Sequence, residues 1–279
     1  MKRPPSAIWC AWKPVGATST SLVDRFRQEH AGPWPLKVSH GGVLDPFAEG
    51  LVLLLVGSAN RVFEGLHEAP KTYVAEVVFG VETDTGDAGG RAVLRTDQQP
   101  TVDQIEALLP SFLGWTDQVP PATSNKRVDG ERAYVRAHRG EDVKLPAQQV
   151  YCHAVKRLDA TRFELVVRGG YYVRSFATDL GRKLGCGAHL KTLVRTHIGP
   201  WSRETPLITG RAALPWLPSL VLSDAELGAV RSGAPLPGRP VTPPEWPLPV
   251  GFPTPHFGTR AFHQGKLVAV GSRLLPGGL

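Results

Sequence analysis

Residues 39–50, Ser-His-Gly-Gly-Val-Leu-Asp-Pro-Phe-Ala-Glu-Gly, constrain this chain more than any other stretch. Three glycines and a proline surround one histidine and one aspartate, and the stretch runs directly into an apolar segment, residues 51–56. A loop so poor in side chains has little of its own to pack with. Gly41 and Gly42 allow positive φ or a close approach to a ligand. Asp45 precedes Pro46, which holds it out of the α region. The chain therefore presents Asp45 rather than burying it by default. Taken in isolation, Asp-Pro begins a turn and Gly-Gly marks a hairpin, so the rest of the chain has to decide between a turn and a site.

At 279 residues the chain is long for one ordinary domain and suits one large plus one small. A hydrophobic content of 42% supports a real core, and 32 Lys and Arg against 25 Asp and Glu favour an acidic partner such as RNA. The three cysteines, Cys10, Cys152 and Cys186, are odd in number and lack paired metal spacing. Neither a disulfide framework nor a zinc site is indicated, and a reducing cytoplasm fits. Lys2 and Arg3 open the chain, but Lys13 breaks the apolar run behind them, which is too short for a signal peptide or a membrane span.

Read in order, residues 8–12 form a short strand and Lys13-Pro14-Val15-Gly16 a turn. Ser21-Leu22-Val23-Asp24 has the form of a capping box, opening a helix with Leu22, Val23 and Phe26 on its apolar face. Residues 58–67 read as a second helix with Val62, Phe63 and Leu66 inward. Residues 71–80 alternate as a strand, with Tyr73, Ala75, Val77 and Phe79 on one face. Residues 83–90 carry Asp84 and Asp87 without the spacing of a calcium loop, so a polar turn is expected. Residues 102–109 form an amphipathic helix ended by Pro110.

Residues 120–130 have no hydrophobic period and lead to an expected helix over 131–139. There Arg132, Arg136 and Arg139 recur at i, i+4 and i+7, one face suited to a phosphate backbone or simply solvated. Residues 162–168 alternate as a strand, and a helix follows with Val173, Phe176, Ala177, Leu180 and Leu184 at helical spacing. Arg174 falls in its first turn, where a cation opposes the helix dipole and needs a carboxylate. Cys186 and His189 are two potential metal ligands without a second pair, so a hydrogen-bonded structural histidine is expected. Beyond about residue 206 the texture changes. Ser223-Asp224-Ala225-Glu226 caps a short helix, residues 265–271 read as a strand, and 235–255 are dense enough in proline for a linker.

The motif around Asp45 resembles that of the bacterial TruB-type tRNA pseudouridine synthases, which act at position 55 in the T-loop. Its usual form is Gly-His-Thr-Gly-Ala-Leu-Asp-Pro followed by Thr-Gly. His40, Gly42, Leu44, Asp45, Pro46 and Gly50 match in register, whereas Ser39, Gly41, Val43 and Glu49 depart without removing a reacting group. Lys13-Pro14-x-Gly16-x-Thr18-Ser19 is similar to the family's N-terminal motif, for which turn plus helix cap is a sufficient role. Lys71-x-Tyr73, the 83–87 turn, Gly170-x-Tyr172-Val173-Arg174 and the stretch through Leu193 also match, in the family's order, over roughly residues 8 to 200. In the segment resembling Pro-Pro-x-Tyr-Ser-Ala-x-Lys, Thr123 stands for the tyrosine and Asn125-Lys126-Arg127 for Ala-x-Lys; Val194 replaces a common arginine.

The resemblance implies an α+β fold, a mixed and mainly antiparallel sheet flanked by helices, plus a small β-rich C-terminal domain. The catalytic domain would be residues 1–205, with an RNA-clamping insertion at 118–147, and residues 206–279 a PUA-like domain. Asp45, Tyr73 and Arg174 would be catalytic, with Arg174 the ion-pair partner of Asp45. His40, Tyr73, Tyr172 and Leu193 would bind the substrate, and Lys126, Arg127, Arg132, Arg136 and Arg139 the RNA backbone. The partner would be the T-stem-loop of tRNA, met by a cytoplasmic monomer that uses neither metal nor cofactor. Two other readings remain: a non-catalytic RNA-binding scaffold, and a metal-dependent hydrolase built on His40, Asp45 and His67.

Overall fold

The computed structural model describes residues 3–205, 207–234, 236, 238, 240–256 and 258–271. Contacts divide the chain into two units: residues 1–70 with 197–279, and residues 71–196.

The first unit is laid on β3 (Glu49–Val56), whose residues are buried from Gly50 onward. A strand covered on both faces has no reason to alternate, which is why residues 51–56 read as one apolar run. β1 (Ile8–Lys13) runs antiparallel to it, from Ile8 opposite Leu55 to Lys13 opposite Gly50. On the other edge β2 (Val38–His40) brings His40 opposite Leu54. Helix α1 (Ser19–Glu29) buries Leu22, Val23 and Phe26, with Phe26 meeting Trp9 edge to face at 5.1 Å.

The cap of α1 differs from the expected one. Thr18, in extended backbone, accepts from the Ser21 amide, and the Ser21 hydroxyl is spent on the Thr18 carbonyl. The helix consequently starts at Ser19. Residues 57–67 are likewise split into a 3₁₀ segment, Gly57–Val62, and a short α2 (Phe63–His67). The Asn60 amide donates to the Leu55 and Gly57 carbonyls, which gives this stretch a tighter local bonding pattern than one continuous helix.

In the second unit, β4 (Lys71–Phe79) buries Ala75, Val77 and Phe79 on the face predicted for Tyr73. β5 (Val81–Thr83) and β6 (Ala92–Arg95) form a ribbon around the 84–91 turn. α3 (Val102–Leu108) is closed by a Thr101–Gln104 capping box and ends where Pro110 enters the next turn. The hairpin of β8 (Arg127–Val128) and β9 (Glu131–Arg132) lies beyond β7 (Gly114–Gln118), and α4 (Ala133–His138) follows. Asp129 and Gly130 both take positive φ, the type I′ turn that Asp-Gly favours.

The expected helix over 131–139 is therefore shortened, because the Asp-Gly turn commits residues 131–132 to a strand. Arg132 becomes its N-cap and Arg139 its C-cap, so only Arg136 of the three lies within the helix. β10 (Gln148–Arg157), β11 (Arg162–Val167), α5 (Val173–Lys183) and β12 (Ala188–Ile198) complete this part of the chain. The strand order is β12-β4-β11-β10-β7, and the three ladders joining β4 to β7 are antiparallel. α5 lies on this sheet through Phe176, 5.8 Å from Phe163 and 4.9 Å from Phe112.

The chain then returns to the first unit. β13 (Leu207–Ile208) pairs with β1, and Ile198, Trp201, Ile208, Leu214 and Trp216 join Ile8, Leu51, Leu53, Leu55 and Leu66 in one core. A small sheet follows: β14 (Ser219–Val221) parallel to β15 (Thr259–His263), itself antiparallel to β16 (Lys266–Gly271). The capping box at Ser223 opens α6 (Asp224–Arg231) as expected.

Arg260, fully buried, stitches this sheet down by donating to the Arg211, Ala213 and Leu217 carbonyls. The expected linker over 235–255 falls partly on residues 235, 237 and 239, which lie outside the described residues. The described part is tied down at points: Thr242 bridges to Ser219, the Trp246 amide donates to the Pro215 carbonyl, and the Trp246 ring meets Trp216 at 6.3 Å. Its apolar aromatics outweigh its proline content. Among the described residues no helix is long and apolar enough to cross a membrane.

Candidate active site

In the first unit the loop bearing Asp45 is tied down through the residues on either side of it. The Leu44 amide donates to Ser19 Oγ at 3.0 Å, and the Ser19 hydroxyl returns a longer bond to the Leu44 carbonyl. The Pro46 carbonyl accepts from the Gly16 amide at 2.8 Å and from Lys13 Nζ at 3.3 Å. Lys13 is 0% exposed and also donates to the carbonyls of Pro14 and Ala17. An ammonium buried this deeply needs oxygen partners, and the turn after β1 supplies them.

The Lys13-to-Ser19 motif is thus more than a turn and a helix cap, because it fixes the backbone on both flanks of Asp45. Gly41 serves the same loop. Its amide donates to the Leu53 carbonyl at 2.7 Å, and a Cβ there would stand 3.3 Å from Leu53 Cβ. His40 and Asp45 are both half-buried.

The second unit holds Tyr73, Tyr172, Arg174 and Leu193. Tyr73 lies on β4 opposite Leu165 and is half-buried, while Leu193 on β12 is buried. Tyr172 is the N-cap of α5. Its amide donates to Gln118 Oε1 at 2.8 Å and its carbonyl accepts from Gln118 Nε2 at 3.0 Å, a two-point clamp by one buried amide side chain.

Arg174 is 4% exposed in the first turn of α5. Its Nη1 donates to the Thr85 carbonyl at 2.9 Å and to Thr123 Oγ1 at 2.6 Å, and it stands 3.5 Å from Asp87 Oδ2. The carboxylate demanded by a cation at a helix N-terminus is met inside this unit by Asp87. Asp87 is itself fixed: its Oδ1 accepts from the Gly89 amide at 2.9 Å and its carbonyl from the Thr83 hydroxyl at 2.8 Å. Gly86, at φ +73°, lets the turn lie against α5, since a Cβ there would be 3.3 Å from both Arg174 Cβ and Thr178 Oγ1.

Residues 83–90, expected to be only a polar turn, therefore form the seat of the buried arginine. The arginine's need for a carboxylate was a usable signal, but the resemblance directed it to Asp45, and nothing in the local pattern marked Asp87 as a partner.

The arginines of the 126–139 region are engaged with neighbouring carboxylates and carbonyls. Arg127 donates to the Gly130 carbonyl and Arg132 to that of Asn125. Arg136 pairs with Glu141 and Asp129, and Arg139 with Glu131 and Glu141. Hydrogen bonds from Arg139 to Glu131, and from Arg136 and Arg139 to Glu141, hold both glutamates below the usual carboxylate range.

His189 bonds the Val81 carbonyl through Nδ1 at 2.8 Å, the structural role expected of it. Among the described residues, no three His, Cys, Asp or Glu side chains, including those of His40, Asp45 and His67, come together as a metal site.

Residues 30–173 match the N-terminal domain of the TruB family pseudouridylate synthases. The tRNA pseudouridine synthase B of Rhodopirellula baltica is 34% identical over 85% of this chain and 77% of its own length. That of Roseobacter denitrificans is 41% identical over 69% of this chain, and that of Dehalococcoides mccartyi 40% over 70%. The matched stretch spans 64% and 66% of those two relatives.

In fold, the chain resembles a chain from the crystal structure of a Cbf5-Nop10-Gar1 complex, with a TM-score of 0.66 at 22% identity over 95% of this chain and 77% of that one. A chain of an H/ACA RNP bound to a substrate RNA containing 2′-deoxyuridine gives 0.64 at 20%, over 97% and 79%. By the extent of its match to the family's N-terminal domain and its identity to these relatives, this chain belongs to the TruB family of pseudouridylate synthases.

Proposed function

We propose that this chain is a tRNA pseudouridine synthase, an isomerase that converts a uridine of the T-stem-loop to pseudouridine. The observation that carries the reading is the Asp45 loop, a family motif whose carboxylate is presented by a backbone fixed at Leu44 and Pro46. In the reaction the C1′–N1 bond breaks, the uracil turns, and C5 bonds to C1′. The C5 proton is lost and N1 gains one, so the change is redox-neutral. Such chemistry asks for a carboxylate at the ribose and a pocket for a base taken out of its stack.

Asp45 supplies the carboxylate, acting at C1′ as nucleophile or at C2′ as base. Arg174 keeps it ionised and oriented. Tyr73 stacks on the uracil and assists loss of the C5 proton, Tyr172 and Leu193 wall the pocket, and His40 fills the space the flipped nucleotide leaves. Lys126, Arg127, Arg132, Arg136 and Arg139 meet the RNA backbone, and the small C-terminal sheet adds a PUA-like RNA contact. A cytoplasmic monomer accompanies this reading.

The test is tritium release from a T-stem-loop RNA labelled at uracil C5, comparing the parent with Asp45→Asn and measuring RNA binding in parallel. Release by the parent alone supports the reading. Tight binding with no release from either protein would give first place to the RNA-binding scaffold.

A further inference from the structure

Three residues at the start of α5 are each anchored by the stretch of chain that precedes the β8–β9 hairpin. Gln118 holds Tyr172 at its amide and carbonyl, the Val119 carbonyl accepts from the Ser175 hydroxyl at 2.7 Å, and Thr123 Oγ1 accepts from Arg174 Nη1 at 2.6 Å. The Thr123 bond is the shortest of these and the only one that reaches a charged head group.

The backbone around Thr123 is fixed as well. The Ser124 amide donates to the Pro121 carbonyl at 3.0 Å, the Tyr134 amide to the Ser124 carbonyl at 3.1 Å, and Ser124 is buried. These bonds fix the main chain from which Thr123 Oγ1 reaches the arginine.

Arg174 Nη1 has two hydrogens. One points to the Thr85 carbonyl and one to Thr123 Oγ1, while the Asp87 carboxylate stands within ion-pair distance of the same nitrogen. A planar guanidinium held at one terminal nitrogen from two directions has its plane fixed. The Thr85 and Asp87 contacts come from a single turn on one side. Thr123 holds the same nitrogen from a separate stretch of chain, at 2.6 Å.

We propose that Thr123 is a positioning residue for Arg174, setting the orientation in which the guanidinium serves the reaction. This inference rests on the synthase reading above. It gives a role to the one side chain of the 120–127 segment whose departure from the family's common tyrosine removes an aromatic ring.

The experiment compares the parent, Thr123→Val and Thr123→Ser in single-turnover and steady-state tritium release, with RNA affinity measured separately. Valine keeps the shape and removes the acceptor; serine keeps the acceptor. Misplacement of a reacting group costs up to about 100-fold, so Thr123→Val should lower kcat by about 10- to 100-fold. KM and RNA affinity should stay within about twofold, because an interaction made only in the transition state leaves them unchanged. Thr123→Ser should recover most of the parent rate.

A Thr123→Val protein with parental kcat overturns the proposal. So does a loss that serine fails to rescue, or one that appears in KM and RNA affinity alone, since each points to general packing. A parent that releases no tritium would instead overturn the synthase reading, and the two failures are thereby told apart.

Discussion

Asp45 and Arg174, the two charged groups assigned to the chemistry, are held in opposite ways. Asp45 is half-buried, and its neighbours Leu44 and Pro46 are fixed through the backbone by Ser19, Gly16 and Lys13. Arg174 is almost wholly buried and is gripped by its head group, between Thr85, Asp87 and Thr123. Backbone ties on either side set where the Asp45 side chain starts. Arg174 is set by bonds to its own nitrogen.

That difference predicts a split between activity and stability. Asp45→Asn should lower turnover on the order of 10⁴-fold or more. Asparagine keeps the shape of the side chain and the backbone ties at Leu44 and Pro46, so thermal unfolding should move by no more than about 2 °C. Arg174→Met should lose activity and also destabilise by about 3 kcal/mol, because it strands Asp87 against a buried apolar group. If Asp45→Asn unfolds the protein as readily as Arg174→Met in a melting curve, the distinction fails.

Lys13→Met carries the comparison one step outward. Removing the ammonium takes one donor from each of three carbonyls, of which Pro46 keeps the Gly16 amide and Pro14 the Ala17 amide, and the expected cost is about 2–4 kcal/mol. A fall in kcat of about tenfold should accompany it as the Pro46 side of the loop loosens. Unchanged kinetics in a destabilised Lys13→Met protein would show that the loop keeps its place without the ammonium. Gly86→Ala asks the same of the arginine's seat. An alanine at that φ costs about 1–2 kcal/mol, and the new Cβ presses on Arg174, so chemical denaturation and kcat should both register it.

The smallest effect concerns the exposed arginines. Glu141→Gln releases Arg136 and Arg139 from one carboxylate and should tighten T-stem-loop binding by a few-fold at low salt, with a steeper salt dependence. Equal affinities across a salt series would remove these arginines from the RNA contact. Titration gives a matching sign. Glu131 and Glu141 are held below 4.5 in the folded chain, so the unfolded chain binds more protons near that pH. Their contribution to stability is complete above about pH 4.5 and fades as pH falls through the lowered folded values. In Glu141→Gln this acid-side loss should be smaller.

What was legible in the sequence was what repeats. β4 and β11 alternate, α5 keeps a helical stripe, and Ser223 stands before α6 with Glu226 in place as its box partner. The Asp45 loop was legible because its glycines, proline and charged residues are contiguous. The Arg174 seat was not, because Thr85, Asp87 and Thr123 are far from Arg174 in sequence and a polar turn looks alike whether or not an arginine rests on it.

Local signals were also outweighed by stronger patterns. The Asp129-Gly130 turn was hidden by the arginine spacing around it, and the Thr18 cap by the Ser21 box three residues on. Lys13 stands at the head of a motif similar to the family's, but nothing in that motif marks its side chain as buried. A lysine is normally a surface residue, and only the folded turn shows it sealed inside.

The first unit is assembled from both ends of the chain, and at the point where the second unit begins, the Gly199 amide donates to the Pro70 carbonyl at 2.8 Å. The strand leaving and the strand returning are one peptide bond's reach apart, so the second unit is topologically an insertion with a closed neck. A short Gly-Ser bridge would span that neck. The leucine-rich central strand must wait on the ribosome for Ile198, Trp201 and Trp216 before its core is closed.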